Sequence, residues 1–318
     1  MLQPSRTLQK MDARSHGEHG LPASIASRDL TTASVQAPCK ICGSSRLTVF
    51  AHTAKCGDCG VLLYWPYPKS DAELMQGEGK AWSPDRARDW YSKSSFYNHT
   101  NFTNMLRFTL GEESKNRRLD ILDYGGGAGQ FALVALSHFP EARVFITDMA
   151  DEALLDEWRP FNTQIPFRQF ADDRQTFDAI FLNDVFEHVS DPVVVLQQLA
   201  AKLKPGGRMF IDTPKQFWLF GSSRLFWPAL HRKILQGTVS TAHLQIWTRQ
   251  AFERVVRDGG LRISKYTETS EYTMPPEFYL KNMGIQQPLV RACARLFYRN
   301  AKYLAKNKIM CVLSPAGA

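Results

Sequence analysis

From about residue 118 onward, short apolar runs alternate with stretches in which apolar residues recur at helical spacing. Five or six mainly apolar residues make a buried strand, whereas recurrence at every third or fourth position indicates an amphipathic helix. The predicted strands are Leu119–Tyr124, Arg143–Thr147, Phe177–Leu182, Arg208–Asp212, Leu261–Thr267 and Lys308–Leu313. The predicted helices are Gln130–His138, Pro192–Leu203 and Arg249–Asp258. This alternation predicts an α/β fold built on a mostly parallel sheet with helices on both faces.

The same pattern divides the chain into segments. Residues 1–37 are rich in Ser, Thr, Gln, Arg and His without periodicity, which predicts a disordered tail. Residues 67–117 mix polar and aromatic positions and are predicted to form a helical lead-in to the main domain at 118–318. Two stretches inside that domain, at about 214–245 and 270–305, fit no core element and are predicted to be insertions.

The segment Lys204-Pro205-Gly206-Gly207 is expected to end the second predicted helix, because proline and glycine interrupt regular structure.

Cysteines are concentrated in residues 38–66. The pairs Cys39-x-x-Cys42-Gly43 and Cys56-x-x-Cys59-Gly60 are nearly identical and are separated by 13 residues. Four thiolates in two such turns can close a tetrahedral shell around zinc, and a full shell leaves no open position for chemistry. Glycine after the second cysteine permits a tight turn and leaves amides free to bond the sulfurs. We therefore predict a small zinc ribbon whose metal is structural.

A glycine-rich loop follows the first predicted strand. Asp123 directly precedes Gly125, Gly127 and Gly129, and Asp148 ends the next strand. Small residues let the backbone pass close to a ligand, amides at a helix start can hold its polar groups, and a strand-end acid can bind ribose hydroxyls. The glycines fall two apart, so the dinucleotide fingerprint Gly-x-Gly-x-x-Gly is not matched, and the chain lacks a P-loop. A turn without a ligand would explain such a loop on its own.

The order of these motifs resembles that of class I S-adenosylmethionine-dependent methyltransferases. Asp123-x-Gly125-x-Gly127-x-Gly129 is similar to their first motif. Later motifs are similar to Phe177-Asp178-Ala179-Ile180, Glu187-His188-Val189 and Leu203-Lys204-Pro205-Gly206-Gly207. The resemblance covers roughly residues 118–270 and is nearest to the branch that methylates quinones, sugars and other small hydroxylated compounds. It implies a Rossmann-like seven-stranded sheet with helices on both faces.

The resemblance also implies a set of cofactor contacts. The loop Asp123–Gly129 would hold the methionine part of S-adenosylmethionine, and Asp148 its ribose. Asp172, or its neighbour Asp173, would approach the adenine amine, although either could be a solvated loop acid. Asn183 would line the methyl-transfer site. Tyr124 and Gly126 occupy variable positions of the motif and are expected to alter nothing essential.

Two histidines are candidate catalytic bases for a hydroxyl acceptor. His188 follows the fourth strand of the implied fold, and His243 precedes the predicted helix at Arg249. Histidine has a pKa near neutrality and is suited to removing a hydroxyl proton. Either residue could instead only orient its loop, and Asp184 and Glu187 could be plain acids at a helix start.

Charge and hydropathy restrict the partners. A net charge of +8 favours anionic partners such as nucleic acid, nucleotide-sugars or a membrane surface. The second insertion ends in a predicted helix, about 290–306, with a basic face that could meet phosphates or anionic lipid, or only solvent. No run of about 18 apolar residues occurs and no signal peptide is recognised, so a cytoplasmic protein is expected.

These observations favour an S-adenosylmethionine-dependent methyltransferase whose acceptor is a sugar, nucleotide-sugar or lipid-linked hydroxylated metabolite. An rRNA or tRNA methyltransferase is the alternative enzyme, but Asn183-Asp184-Val185-Phe186 differs from the Asn/Asp-Pro-Pro-Tyr/Phe of enzymes that methylate base amines. A non-catalytic zinc-ribbon interaction protein with a vestigial cofactor site is the alternative of another class. The sequence leaves the acceptor and the oligomeric state open.

Overall fold

The main sheet is built from strands whose alternate residues face two separate apolar layers. A computed structural model describes residues 37–50, 52–67, 84–114, 116–150, 153–216, 243–270, 287–289, 291–293, 295–296, 300 and 306–317. Its strands are β1 (Leu47–Phe50), β2 (Thr53–Cys56), β3 (Leu62–Tyr64), β4 (Asp120–Tyr124), β5 (Arg143–Thr147), β6 (Thr163–Gln164), β7 (Phe177–Asn183), β8 (Leu203–Pro214), β9 (Gln245–Ile246), β10 (Leu261–Thr269) and β11 (Lys308–Pro315). Its α-helices are α1 (Pro84–Leu110), α2 (Gln130–His138), α3 (Phe167–Phe170), α4 (Pro192–Ala201) and α5 (Arg249–Asp258).

Seven of the described strands form one sheet in the order β10-β11-β8-β7-β4-β5-β6. Strands β6, β5, β4, β7 and β8 run parallel to one another. Strand β11 runs antiparallel to both β8 and β10. The predicted Rossmann-like α/β fold with a seven-stranded sheet is confirmed. Because the parallel strands end together, the loops after β4, β5, β7 and β8 share one edge.

Helices cover both faces of this sheet. Ile121 and Phe181 pack in one apolar layer with residues of α1 and α2. Leu122 and Ile180, their neighbours along the strands, pack in the other layer with residues of α4 and α5. This alternation follows from the two-residue period of a strand. On the first face, Phe102 of α1 contacts Phe131 of α2 edge to face, with ring centroids 5.5 Å apart.

The predicted end of the second helix differs from the structure. Helix α4 ends at Ala201, and Lys204-Pro205-Gly206-Gly207 lies within β8. Phe177 pairs with Leu203, but the next partners are Ala179 and Arg208. The extra residues therefore bulge out of the ladder, and Gly206 takes a φ of +76°, which glycine adopts without penalty.

The cysteine-rich segment is joined to the main domain through a sheet. Strands β1, β2 and β3 form an antiparallel sheet whose fourth strand is β9, from residues that precede α5. Ile41, Val61 and Leu63 belong to the same apolar layer as α4 and α5. The segment thus shares its core with the domain instead of packing alone.

Several predicted features lie outside the described residues. They are residues 1–36 of the tail, residues 68–83 of the lead-in, residues 217–242 of the first insertion, residues 271–286 of the second, and most of the basic helix at 290–306. Within the described part of the chain, no helix is both long and apolar enough to cross a membrane.

Candidate functional site

The glycine loop after β4 has a backbone that other residues would strain. Gly125, Gly127 and Gly129 have φ values of +74°, +52° and +89°, a region that side chains disfavour. A Cβ on Gly125 would lie 2.5 Å from Val185 Cγ2, and one on Gly129 would lie 2.4 Å from Leu154 Cδ1. The loop is therefore restricted to glycine by both conformation and space.

Glycine also suits position 126, a variable position of the motif, because a side chain there would collide with its neighbours. A Cβ there would lie 2.4 Å from Asp123 Oδ2 and 2.8 Å from Ile146 Cδ1. Neither neighbour can move away easily, because both are buried below the loop. The motif pattern of alternate glycines carries no signal for this contact.

Asp148 connects the second strand to the glycine loop. Its Oδ2 accepts a hydrogen bond from Gly127 N at 2.9 Å, and its Oδ1 accepts one from Ala150 N at 2.9 Å. A carboxylate has about four acceptor sites, and these two bonds use two of them.

Asp123 lies below the loop as a buried acid with incomplete hydrogen bonding. It is 3% exposed, and its Oδ2 has no hydrogen-bond partner within the described residues. Burial, with the charge of Asp148 as a second cause, raises the pKa of Asp123 to about 8. A buried oxygen of this kind is stabilised by a cationic group or a donor brought by a ligand.

The loop after β7 is held by a buried lysine. Asn183 is the last residue of β7 and pairs with Asp212 of β8. Asp184 follows with a φ of +52°, and its N–H donates to Asp212 Oδ1 at 2.8 Å. Lys308 Nζ lies 2.8 Å from Asp184 Oδ1 and 2.8 Å from Asp212 Oδ2. These ionic contacts offset the backbone strain at Asp184.

Glu187, His188 and His243 meet where this loop faces the segment before β9. The imidazole centroids of the two histidines are 5.1 Å apart, and one ligand atom from each of the three residues lies within 4.8 Å of the others. Glu187 is buried, and Thr213 donates to its Oε2 at 2.9 Å. Burial, with the charge of Asp184 as a second cause, raises the pKa of Glu187 to about 7. Such a cluster can exchange a proton near neutral pH or hold a divalent cation.

The alternative interpretation, that Asp184 and Glu187 are acids in the first turn of a helix, is wrong. Helix α4 begins at Pro192, and its N-cap is Asp191, whose side chain accepts from Val194 N. Both acids instead lie in the loop that precedes it.

Four sulfurs converge in the cysteine-rich segment. Cys39 Sγ lies 3.9 Å from Cys59 Sγ, and Cys42 Sγ lies 3.5 Å from Cys56 Sγ. All four lie within 4.8 Å of one another. A tetrahedral zinc with bonds of about 2.3 Å separates its sulfurs by roughly 3.8 Å, so the spacing suits that ion.

The two cysteine turns have the same backbone. Gly43 and Gly60 both have a φ of +73°, and their N–H groups donate to the carbonyls of Cys39 and Cys56. The glycine amides therefore close the turns, and Asp58 N lies 3.4 Å from Cys56 Sγ. The backbone amides of Ile41 and Cys42 also hydrogen-bond the sulfur of Cys39.

Comparison with known proteins matches this architecture to one family. A family model described as a methyltransferase domain matches residues 94–266, more than half of the chain. The chain belongs to this methyltransferase family. The expected membership of the methyltransferases is thereby confirmed.

The alignments with individual relatives cover a smaller part of the chain than the family model does. Ubiquinone biosynthesis O-methyltransferase of Coxiella burnetii (strain Dugway 5J108-111) is 29% identical over 139 residues, which are 41% of this chain and 58% of the relative. The protein of that name from Leptothrix cholodnii is 26% identical over 149 residues, 42% of this chain and 63% of the relative. The matched region thus spans less than two thirds of the length of these curated relatives.

Among solved structures, the mitomycin 7-O-methyltransferase MmcR is similar with a TM-score of 0.47 and 14% identity, covering 77% of this chain and 63% of that chain. A Haloferax volcanii methyltransferase in complex with its activator Trm112 has a TM-score of 0.47 and 18% identity, covering 77% and 96%.

Asp172 is not brought to the site of the methyltransferase domain. It follows α3 on the connection that returns to the start of β7, and its N–H donates to Gln169 O. The carbonyl of its neighbour Asp173 accepts from Lys202 Nζ at 2.7 Å, just before β8 begins. This contact lies at the amino ends of the strands, whereas Asp148 lies at the carboxyl ends. An adenine contact from Asp172 therefore finds no support in this arrangement.

Sequence reasoning missed the residues that support the methyltransferase loops. Lys308 and Asp212 were assigned only to strands, and neither Tyr67 nor Gln245 was considered. The one available signal was a polar residue at the end of an apolar strand, as at Asp212. Lys308 is 96 residues further along the chain from Asp212, and no local pattern connects the two.

Proposed function

We propose that the protein transfers a methyl group from S-adenosylmethionine to a hydroxyl of a small acceptor. The observation that carries this proposal is the convergence, at one sheet edge, of the glycine loop, Asp148 and the histidine pair. The relatives named O-methyltransferases support an oxygen acceptor. A sugar, nucleotide-sugar or lipid-linked metabolite remains the acceptor that we favour.

The residues of the loop fit the cofactor. Glycine at positions 125 and 129 lets the loop pack directly against Val185 and Leu154, where a Cβ would collide. The buried Oδ2 of Asp123, which has no hydrogen-bond partner among the described residues, would suit the ammonium group of the methionine part. Asp148 would hold the ribose. When bound, the cofactor supplies an electrophilic methyl group on a sulfonium, and the protein need only align the acceptor and exclude water.

The histidine pair would remove the acceptor proton. His188 and His243 are both partly exposed, so either can reach a bound hydroxyl. Glu187 lies next to them, with Oε1 3.9 Å from His188 Nε2, and its ionised form would stabilise an imidazolium once the proton has been taken. Asp184 and Lys308 hold the loop that carries this pair.

We also propose that Cys39, Cys42, Cys56 and Cys59 bind one structural zinc ion. Four cysteine ligands complete its shell, so the ion would fold the ribbon and take no part in the reaction. Metal analysis of the purified protein tests this directly, with one zinc per chain expected and none in a Cys42→Ser, Cys59→Ser double variant.

Calorimetry with S-adenosylmethionine and S-adenosylhomocysteine tests the cofactor site. We expect binding by the parent and its loss in Asp148→Ala and Gly127→Arg, because the first removes the ribose acceptor and the second fills the loop. Absence of binding by zinc-loaded parent protein would overturn the enzyme assignment in favour of an interaction protein.

Methyl transfer is then tested with methyl-tritiated cofactor and a panel of phenolic, sugar and lipid-linked hydroxyl acceptors. A general base contributes about 10²–10⁴-fold, so one of His188→Ala and His243→Ala should lose at least about 100-fold in kcat while keeping its affinity for S-adenosylhomocysteine. Equal activity in both variants and the parent would eliminate a histidine base.

A further inference from the structure

The ribbon and the loop of the histidine pair are parts of one hydrogen-bonded assembly. Strand β3 of the ribbon pairs with β9 through Leu62 opposite Ile246 and Leu63 opposite Gln245. Tyr64 N donates to Leu244 O at 2.8 Å, which extends the pairing toward His243. The residue that carries one of the candidate bases is therefore adjacent to a strand aligned by the ribbon.

The metal-binding turn itself also contacts this segment. Thr248 Oγ1 donates to Cys59 O at 2.6 Å and accepts from Ala251 N at the start of α5. Gln216 Nε2 donates to Gly60 O at 2.8 Å and to Ile246 O at 3.0 Å. The second cysteine turn is thus bonded directly to Thr248 and, through Gln216, to Ile246 of β9.

Gln245 extends this connection from the ribbon to the loop after β7. Its side chain is fully buried, and its Oε1 accepts from the hydroxyl of Tyr67 at 2.6 Å. Its Nε2 donates to Phe186 O at 2.7 Å and to Val189 O at 3.2 Å. These carbonyls lie on either side of Glu187 and His188. One buried side-chain amide therefore holds the backbone both before and after these two residues.

A main-chain bond completes the attachment. Leu244 N donates to Glu187 O at 2.8 Å, between the two carbonyls that Gln245 holds. Three of the four carbonyls over 186–189 therefore accept from residues 244 and 245. Replacing a buried donor leaves a carbonyl without a partner, which is costly in a water-free interior.

We propose that Gln245, held in turn by Tyr67, is a positioning residue that transmits the fold of the zinc ribbon to the geometry of His188 and His243. The proposal rests on the proposed function in assigning that pair to the acceptor site and in placing a zinc ion in the ribbon. Loss of the ribbon metal or of the Tyr67 hydroxyl would then loosen the histidine loop while leaving the glycine loop in place.

Hydrogen exchange of the full zinc-loaded chain, with mass-spectrometric detection, tests this coupling. Tyr67→Phe removes one hydroxyl, and Gln245→Glu keeps the acceptor while removing both donors. Loss of a buried hydrogen bond should make exchange over 185–190 about tenfold faster, with no change over 123–129. Tyr266→Phe is the matched control, because its hydroxyl bonds Glu268 within β10.

A second readout distinguishes positioning from mere stability. Imidazole NMR chemical shifts of His188 and His243 should change in Tyr67→Phe and after removal of zinc by a chelator, but not in Tyr266→Phe. Unchanged exchange over 185–190 and unchanged imidazole chemical shifts in Tyr67→Phe would overturn the proposal, even if Gln245→Glu failed to fold.

Calorimetry with S-adenosylhomocysteine on the same samples separates the two hypotheses. Parent protein that fails to bind it contradicts the proposed function, whereas the exchange result tests the coupling independently of any ligand.

Discussion

Two acids of strand β4, three residues apart, have opposite surroundings. Asp120 begins the strand and accepts from Arg143 Nε at 2.7 Å and Lys204 Nζ at 2.7 Å. Although burial opposes them, these contacts lower its pKa below the ordinary value. Asp123, near the other end, has a buried oxygen without a partner and a pKa raised to about 8. The amino edge of the sheet satisfies its charges internally, whereas the carboxyl edge leaves capacity for a ligand.

This difference indicates which edge serves stability and which serves binding. Lys204 at the amino edge also donates to Asp178 Oδ2 at 2.7 Å, and Asp178 Oδ2 accepts from Asp120 N. Breaking that network should lower the free energy of unfolding without changing the affinity for a ligand. At the carboxyl edge, Asp123 and Glu187 each retain a buried oxygen without a hydrogen-bond partner within the described residues. Unsatisfied groups of this kind concentrate at functional sites, where a ligand completes them.

The largest effect is expected from Gly129→Val at the carboxyl edge. The substitution puts a branched side chain at a φ of +89° and against Leu154. Overpacking and the disfavoured backbone together should weaken S-adenosylhomocysteine binding at least about 100-fold and lower the free energy of unfolding by about 2–4 kcal/mol. Calorimetry and urea denaturation measure the two quantities.

Gly206→Ala is the matched control at the amino edge. Gly206 has a φ of +76°, but a Cβ there meets nothing within 4 Å. Only the backbone preference is lost, about 1 kcal/mol, and ligand affinity should not change. An equal loss of affinity in both variants would show that the glycine loop has no special role.

Asp148→Asn should come next in size. The amide offers one acceptor oxygen where the carboxylate offers two, so either Gly127 N or Ala150 N loses its partner, and the proposed contact with the ribose loses its charge. Hydrogen bonds to charged groups contribute about 1.5–3 kcal/mol, which corresponds to roughly 10–100-fold weaker binding of S-adenosylhomocysteine by calorimetry. Asp178→Asn, at the amino edge, should lower the unfolding free energy without changing that affinity. The reverse result would contradict the division between the two edges.

The sequence allowed six of the seven strands of the main sheet and the position of the glycine loop to be predicted, because these depend on local patterns. Helix α2, strand β5 and helix α5 have the predicted bounds, since alternation and helical spacing are properties of neighbouring residues. The contact of Tyr67 with Gln245 joins residues 178 positions apart, and the pairing of β3 with β9 is equally distant. Such contacts follow from the folded topology alone, and so the support of the histidine loop could not be predicted.

The raised pKa of Asp123 predicts a pH dependence of stability. Between about pH 4 and pH 8 the unfolded chain ionises this acid while the folded protein keeps its proton, so the free energy of unfolding falls as pH rises. Asp123→Asn lacks this fall and should be more stable than the parent above pH 8, by at least about 1 kcal/mol. Urea denaturation at pH 5, 7 and 9 measures the difference in unfolding free energy between the variant and the parent. The titration of Glu187 does not affect this difference, because both proteins contain that residue.

Asp120→Asn should show the opposite sign. The lowered pKa of Asp120 contributes stability above about pH 4 that is lost on acidification. The variant should therefore be less stable than the parent at pH 7, and the gap should close as the pH falls below 4. If the two variants changed with pH in the same direction, the two ends of β4 would not differ in the way described.

The smallest effect is expected at Asp191, an acid of the carboxyl edge whose bonds are complete. Its side chain accepts from Val194 N at 3.3 Å as the N-cap of α4 and lies 2.9 Å from Lys40 Nζ of the ribbon segment. Removing a cap costs about 1 kcal/mol, whereas an exposed ion pair contributes about 0–1 kcal/mol. Asp191→Ala should thus lower the unfolding free energy more than Lys40→Met, with S-adenosylhomocysteine affinity unchanged in both. If Asp191→Ala lost affinity for S-adenosylhomocysteine, an acid with complete hydrogen bonding would also contribute to binding. Location at the carboxyl edge, and not an unsatisfied oxygen, would then distinguish the acids that bind ligand.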